Sequence, residues 1–472
     1  MRPRETDTAN AVERFEPTEN EEFTEFLAEQ PGAETSGRVL SFPRPEPRDL
    51  FEKCRRFRRV VDDLKRRQLY QAQYRVTLEG PLDHRIRVRN PFSGLVEEMV
   101  CFDSNSYLGL HLHPRVVSAV SAALAEVGYG TPSAQLLGGT NRYLRELEET
   151  VAGFHGREDA LIFPSGYGAN IGTLTGLLSR GDFVARDRFS HASLQDGCRW
   201  SGSRFGGSYQ HRDTGDLDRL FRTEAGRGGS RLVVTDGVFS MHGRIAPLKA
   251  LRETADRHGA RLLVDDAHGL GVLGATGRGI EEHAGLPGSA DVLTGTFSKA
   301  SGSVGGYVCG STDLIEYLRV FARSGMFTAS LPAAICAGVT ESFRVMVEEP
   351  EHRERVWHNA QRLWGGLRQA GLLLPELESP ILPVFLGHER LLWAASRDLF
   401  LAGFKCGNVG FPAVPRGECI IRLSVSSRHT DDDLDSAVEA LTKIGSRYGI
   451  LGRGREEIQA IGRSLPADGR IS

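Results

Sequence analysis

Between about Ser104 and Pro350 the chain alternates helical stretches with short β-branched or aliphatic runs, namely Ala160 to Phe163, Phe183 to Ala185, Arg231 to Thr235, Arg261 to Val264 and Val292 to Thr294. Strands separated by helices return to the sheet by crossovers, so the pattern predicts an α/β fold with a mostly parallel sheet flanked by helices. After a helical stretch around Glu351 to Ala370 the pattern changes. Ile381 to Leu386, a helix near Leu391 to Ala402, Cys419 to Val425 and a final helix from Asp431 predict a smaller α+β C-terminal domain.

Upstream, Arg85 to Arg89 alternates strictly and, with Val96 to Phe102, flanks a Pro-Phe-Ser-Gly turn, the signature of a hairpin. A basic stretch from Phe51 to Lys65 has apolar residues near helical spacing, which predicts a packing helix with a solvated charged face. Residues 1–48 are rich in Glu, Thr and Pro without a sustained apolar period, so a disordered acidic arm is expected. The division is therefore an arm over 1–48, a helix and hairpin segment over 49–103, a large domain over 104–350 and a small one over 351–472.

With 58 Lys and Arg against 61 Asp and Glu, the net charge of -3 leaves no general attraction to nucleic acid. The longest apolar runs fall short of the roughly 18 residues of a membrane-spanning helix, and no signal-peptide pattern opens the chain, so a cytoplasmic protein without a transmembrane segment is expected. Seven cysteines stand singly, with no CxxC pair and no metal-like clustering with histidine, so reduced thiols and no metal site are expected.

Two strand ends carry chemistry. Arg261-Leu-Leu-Val-Asp265-Asp266-Ala-His268-Gly269 is an apolar strand that stops at two carboxylates and a histidine. Asp291-Val-Leu-Thr-Gly-Thr296-Phe-Ser-Lys299 repeats the design with a lysine. Ligands of open α/β sheets sit at such carboxyl ends. A lysine and a carboxylate facing one cavity suit pyridoxal phosphate: the amine makes a Schiff base, and the carboxylate keeps the pyridine nitrogen protonated. Taken singly, Lys299 reads as a surface lysine and either aspartate as a turn cap; it is their joint context that matters. Phe163 to Asn170, FPSGYGAN, is a strand running into a Gly-rich helix start, which makes Ser165, Gly166 and Tyr167 candidates to bind a phosphate.

VDDAHGLGVLGATGRG followed by GTFSKASGSVGGYVCGS resembles the α-oxoamine synthase family of fold-type I pyridoxal-phosphate enzymes, and the likeness runs from Ser104 to Thr430. The resemblance implies that Lys299 is the Schiff-base lysine and moves the α-proton, that Asp265 holds the pyridine nitrogen, and that His268 hydrogen-bonds the phenolic oxygen. By the same likeness His191, in SHAS, stacks on the ring, and Ser240, in DGVFSMHGR, tunes the phenolic oxygen. Where His242 stands, the family often has an acidic residue. Thr296 would touch the phosphate, and Thr328 would reach the phosphate of a neighbouring subunit, implying a homodimer with a shared active site. Arg422 maps onto the family's carboxylate-binding arginine, and Asn105 is a second contact for that carboxylate.

The implied reaction is the decarboxylative condensation of serine, alanine or glycine with an acyl thioester, on coenzyme A or an acyl carrier protein, giving an α-amino ketone, carbon dioxide and free thiol. The alternatives are a fold-type I aminotransferase, which shares the lysine, aspartate and phosphate site, and a catalytically silent scaffold, known in this family where the lysine is absent.

Overall fold

The computed structural model describes residues 49–465 apart from 50, 67, 71, 73 and 225; the acidic arm expected over 1–48 lies outside the described residues, as do residues 466–472. Thirteen strands are described: β1 (Arg85–Arg89), β2 (Val96–Cys101), β3 (Asp159–Phe163), β4 (Phe183–Asp187), β5 (Arg204–Tyr209), β6 (Arg231–Asp236), β7 (Arg261–Asp265), β8 (Val292–Thr296), β9 (Gly306–Gly310), β10 (Ile381–Gly387), β11 (Phe404–Lys405), β12 (Gly407–Val409) and β13 (Cys419–Ser424).

Seven of them form the central sheet in the order β3-β9-β8-β7-β6-β4-β5. Only β9 runs against its neighbours, so the sheet is mostly parallel, as the helix–strand alternation predicts. Its strands read as continuous apolar runs because both faces are covered. Ala160, Ile162, Ala185, Val233, Leu262, Val264 and Leu293 pack into one core, while Leu161, Phe163, Val184, Leu232, Val234, Leu263 and Val292 pack into another. Five of the seven strands coincide with runs legible in the sequence. The other two, β5 and β9, are RFGGSY and GYVCG, whose glycines mask strand propensity.

This is the fold-type I pyridoxal-phosphate transferase architecture, with the parallel strand ends of the sheet gathered on one edge. A second sheet, β10-β13-β12, is wholly antiparallel and is covered by helices Glu351–Gln369, Glu389–Leu401, Asp431–Arg447 and Arg455–Ser464. The hairpin β1–β2 forms as its alternation predicts, and β2 then pairs in parallel with β11, Val100 opposite Phe404. Ile86, Val88, Met99 and Cys101 pack against Phe400, so the N-terminal hairpin shares sheet and core with residues some three hundred positions later.

Helix Glu52–Arg66 carries ion pairs of Arg58 with Asp62 and Arg66 with Asp63 and buries only Leu64, in keeping with a solvated charged face. All seven cysteines are free, and all but Cys54 are buried. No helix among the described residues is long and apolar enough to cross a membrane.

Phe102 ties these pieces together. It is fully buried, stacks on His429 with centroids 4.3 Å apart, donates its N–H to the Lys405 carbonyl at 2.7 Å and accepts from the Ser424 N–H at 2.9 Å. Phe102→Ala leaves those backbone bonds but opens a cavity, and should cost about 3–5 kcal/mol of stability. Thermal or denaturant unfolding of the variant measures it.

Candidate active site

The parallel strands deliver Asp236, Asp265 and Thr296 to the same edge of the sheet, and β9, running the other way, begins there at Gly306. Asp236 lies beside Asp265 on neighbouring strands, and Thr294 lies on Asp265's other side. The two carboxylates of the Asp265-Asp266 pair face different surroundings. Asp266 turns into the fold, where Oδ2 accepts the Ile280 N–H at 2.7 Å and where a Cβ on Gly237, Gly269 or Gly279 would strike its carboxyl group. Burial pushes its pKa well above the usual carboxylate range.

Asp265 is the carboxylate with polar partners at the strand edge. Its Oδ2 accepts from the Asn170 amide at 2.6 Å, and its Oδ1 from the Ala267 N–H at 3.0 Å. Asn170 also donates to Ser193 Oγ at 2.8 Å, and its own oxygen accepts from Thr294 Oγ1 at 2.7 Å. All four side chains are buried. Asn170 thus joins helix Gly166–Leu177, strand β8, strand β7 and the start of helix Ala192–Trp200 at one amide.

The Gly-rich helix start is as the sequence suggests. Ser165 is the N-cap, accepting the Gly168 N–H at 2.9 Å, so its hydroxyl serves the helix. Gly166 faces Thr296 so closely that a Cβ would sit 2.9 Å from the Thr296 Cβ, and a Cβ on Gly306 would lie 2.5 Å from the Gly166 backbone nitrogen. Two glycines therefore let the helix start press against β8 and β9. Thr296 Oγ1 contacts Ser298 Oγ at 2.9 Å and donates to the Gly305 carbonyl at 2.9 Å. Tyr167 is exposed, its hydroxyl on Asp196.

Lys299 follows Thr296 by three residues, and its side-chain amine has no hydrogen-bond or ion-pair partner among the described residues. Burial lowers its pKa to about 8, against the opposing pull of Asp265; Arg422 adds to the lowering. His268 Nδ1 lies 2.7 Å from the Tyr107 hydroxyl, and both are buried. Burial raises the Tyr107 pKa to about 12 and drives that of His268 well below its ordinary value. A phenol that keeps its proton donates it to Nδ1, which leaves His268 with its N–H at Nε2.

His191 caps helix Ala192–Trp200. Its Nδ1 is 2.7 Å from Ser193 Oγ, and its backbone N–H donates to Asp236 at 3.0 Å. Burial and the nearby Asp265 charge push Asp236 well above the usual range. His242 stacks on Phe189 at 4.8 Å, and burial lowers its pKa to about 4, so a neutral ring stands where the family often has an acid.

From the smaller sheet, Arg422 on β13 donates to Asn105 Oδ1 at 3.0 Å, to the Ser240 carbonyl at 2.6 Å and to Ser424 Oγ at 2.8 Å. Arg422, Asn105 and Ser240 are thereby brought together. Thr328 is not: it follows helix Arg323–Met326 and hydrogen-bonds none of the Ser165–Thr296 residues.

These residues fit pyridoxal phosphate. An unpartnered, half-buried amine, an anchored carboxylate and a helix start narrowed by Gly166 and Gly306 answer to its aldehyde, pyridine nitrogen and phosphate. Residues 97–441 match the family described as "Aminotransferase class I and II". The chain belongs to that family. It is 40% identical over 402 residues to 4-hydroxy-2,2'-bipyrrole-5-methanol synthase PigH of Serratia sp. (strain ATCC 39006), covering 85% of this chain and 61% of PigH, so it spans under two thirds of that relative. It is 40% identical over 355 residues to 8-amino-7-oxononanoate synthase 1 of Bacillus subtilis (strain 168), covering 75% of this chain and 90% of the relative. A solved structure described as SPT with PLP internal aldimine superposes with a TM-score of 0.81 at 32% identity, over 86% of this chain and all of that one. The chain is thus a pyridoxal-phosphate-dependent α-oxoamine synthase, an acyltransferase by class.

Sequence reasoning missed Asn170 and Tyr107, although Asn170 lies in FPSGYGAN and Tyr107 three residues after Ser104, where the family likeness begins. The signal available was their polarity inside otherwise apolar or glycine-rich stretches. Asn170→Ala leaves Asp265 Oδ2, Thr294 and Ser193 each short of a partner. It should weaken retention of pyridoxal phosphate by about 1–3 kcal/mol, roughly 5- to 150-fold, with the circular dichroism spectrum unchanged; equilibrium titration of the apoprotein reads it.

Proposed function

We propose that this chain condenses an amino acid with an acyl thioester, releasing carbon dioxide and thiol, and that Lys299, Asp265, His268 and His191 carry the chemistry. The observation that carries the assignment is the Lys299 amine, free of protein partners, at the strand edge that also holds Asp265, with Arg422 and Asn105 supplied from the smaller sheet and the Ser104 segment. Pyridoxal phosphate, when bound, supplies a pyridinium that accepts the electron pair left on the substrate Cα.

In this reading the backbone N–H groups of Gly166 and Tyr167 hold the phosphate, with the Thr296 hydroxyl turned to it from the Gly305 carbonyl; Ser165 shapes that turn by capping it. Asp265, kept in place by Asn170 and Ala267, holds a proton at the pyridine nitrogen. His268 offers its Nε2–H to the phenolic oxygen, joined there by the Ser240 hydroxyl. His191, anchored on Ser193, covers one face of the ring.

Lys299 anchors the cofactor, gives way to the substrate amine, and then takes the α-proton. A pKa lowered to about 8 makes neutral amine available near neutrality, as this step requires. Arg422 spends three of its five N–H donors on protein and offers the rest, with Asn105, to the substrate carboxylate. Holding that group orients the bond to be broken.

The active form in this reading is a homodimer in which Thr328 serves the partner's site. Support comes from the exposed Tyr129, Leu137, Phe321 and Phe327, large apolar side chains on segments around Thr328. A cytoplasmic location goes with it. Serine, alanine and glycine, and coenzyme A or carrier-protein thioesters, are the substrate candidates.

The test is the visible spectrum of the holoenzyme titrated with serine, alanine and glycine in turn, followed by acyl-coenzyme A with thiol and carbon dioxide measured together. A spectral response to one amino acid and equal release of both products is expected. Consumption of a keto acid without thiol release identifies an aminotransferase instead. Lys299→Ala should abolish turnover. In the apoprotein, the rate of cofactor capture should climb through a midpoint near pH 8, not 10.5, because the protonated amine is unreactive.

A further inference from the structure

A second cluster lies away from the strand edge, where the last helix of the large unit meets the first helix of the C-terminal part. His113 precedes helix Pro114–Val127, Glu349 ends helix Ala333–Glu348, and His352 lies in the first turn of helix Glu351–Gln369. Nε2 of His113 is 3.1 Å from Glu349 Oε2, and Nε2 of His352 is 3.4 Å from the same oxygen. The three potential ligand atoms all lie within 4.8 Å of one another. We propose that His113, Glu349 and His352 form a site for one divalent transition ion of the zinc or cobalt class.

Three observations support it. A tetrahedral ion with bonds of about 2.0–2.1 Å spaces its ligand atoms about 3.3–3.4 Å apart, so the two nitrogen–oxygen separations need only a few tenths of an ångström of adjustment. The carboxylate is already aimed: Arg115 takes Glu349 Oε1 at 3.0 Å, which leaves Oε2 for the imidazoles. Such outer contacts orient metal ligands. Charge also favours a dication, because Arg115 and Arg344 face four carboxylates, Glu146, Glu341, Glu348 and Glu349.

The three side chains are 16%, 25% and 27% exposed, sheltered yet open enough for water as a fourth ligand. Two imidazoles and one carboxylate suit zinc better than magnesium or calcium, which prefer all-oxygen sites. Bound there, the ion would fasten three segments across Pro350 and stiffen the joint without touching the reacting atoms. The site is independent of the reaction assigned above.

The experiment uses holoenzyme stripped with a chelator, kept reduced and titrated with zinc chloride by calorimetry, alongside His113→Gln and His352→Gln. The expected result is one zinc per chain, a rise of a few degrees in melting temperature, and at least tenfold weaker binding in each variant with turnover unchanged. Cobalt should add the intense visible band of a tetrahedral site, lost in both variants. The absence of saturable binding in the wild-type chain, or zinc held equally by both variants, would overturn the proposal. His352 is the more exposed of the two histidines, at 27% against 16%, so its variant tests the site even where His113→Gln folds poorly.

Discussion

Three carboxylates, Asp236, Asp265 and Asp266, lie buried at the ends of two neighbouring strands, and the rest of the site follows from how the fold tolerates them. Three bare charges in so small a volume would be prohibitive. The structure separates them by surroundings. Asp236 and Asp266 are pushed toward the protonated form by burial, Asp236 also by the Asp265 charge, while Asp265 receives the Asn170 amide and the Ala267 N–H. Asp265 alone of the three is held by two hydrogen-bond donors at the strand edge, and the Lys299 amine nearby feels it: the Asp265 charge opposes the burial that lowers the lysine.

That arrangement needs parts from distant stretches of chain. Asn170 comes from the helix after β3, Ser193 from the helix after β4, and Thr294 from β8, so the amide is a joint between crossovers as well as a partner for a carboxylate. The second half of the site comes from the smaller sheet, where β13 places Arg422. Its position rests in turn on the β1–β2 hairpin, whose chain runs from Phe102 straight to Asn105. Hydrogen bonds from Phe102 to Lys405 and from Ser424 to Phe102 hold β13 and the Asn105 segment together.

What was legible in the sequence follows from these physical differences. Strands β3, β4, β6, β7 and β8 announce themselves because both faces of the sheet are buried, which demands unbroken apolar runs. By contrast β9 is hidden because its first residue must be glycine to pass Gly166, and β11, two residues long, exists only through its pairing with β2. The Asp265, Lys299 and His268 motifs are local in sequence and so could be read. The Asn170 and Tyr107 contacts link residues 95 and 161 positions apart and leave no local pattern. The same reason hides the His113–Glu349 contact, which spans 236 positions.

Arg422 shows why a buried cation can be tolerated before any substrate arrives. Its three protein acceptors, the Ser240 carbonyl, Ser424 Oγ and Asn105 Oδ1, are neutral, so they fix its direction without neutralising it. An arginine paired with a protein carboxylate would have to surrender that partner to bind another. Under the proposed function a substrate carboxylate would meet an oriented guanidinium whose protein acceptors are all neutral, with little ordering entropy left to lose. The same positive charge lowers the Lys299 pKa, so the group proposed to hold the amino acid's carboxylate also helps keep the lysine amine unprotonated. In the proposed reading, a substrate anion on Arg422 would weaken that influence and make the displaced lysine a stronger base when a proton must be removed.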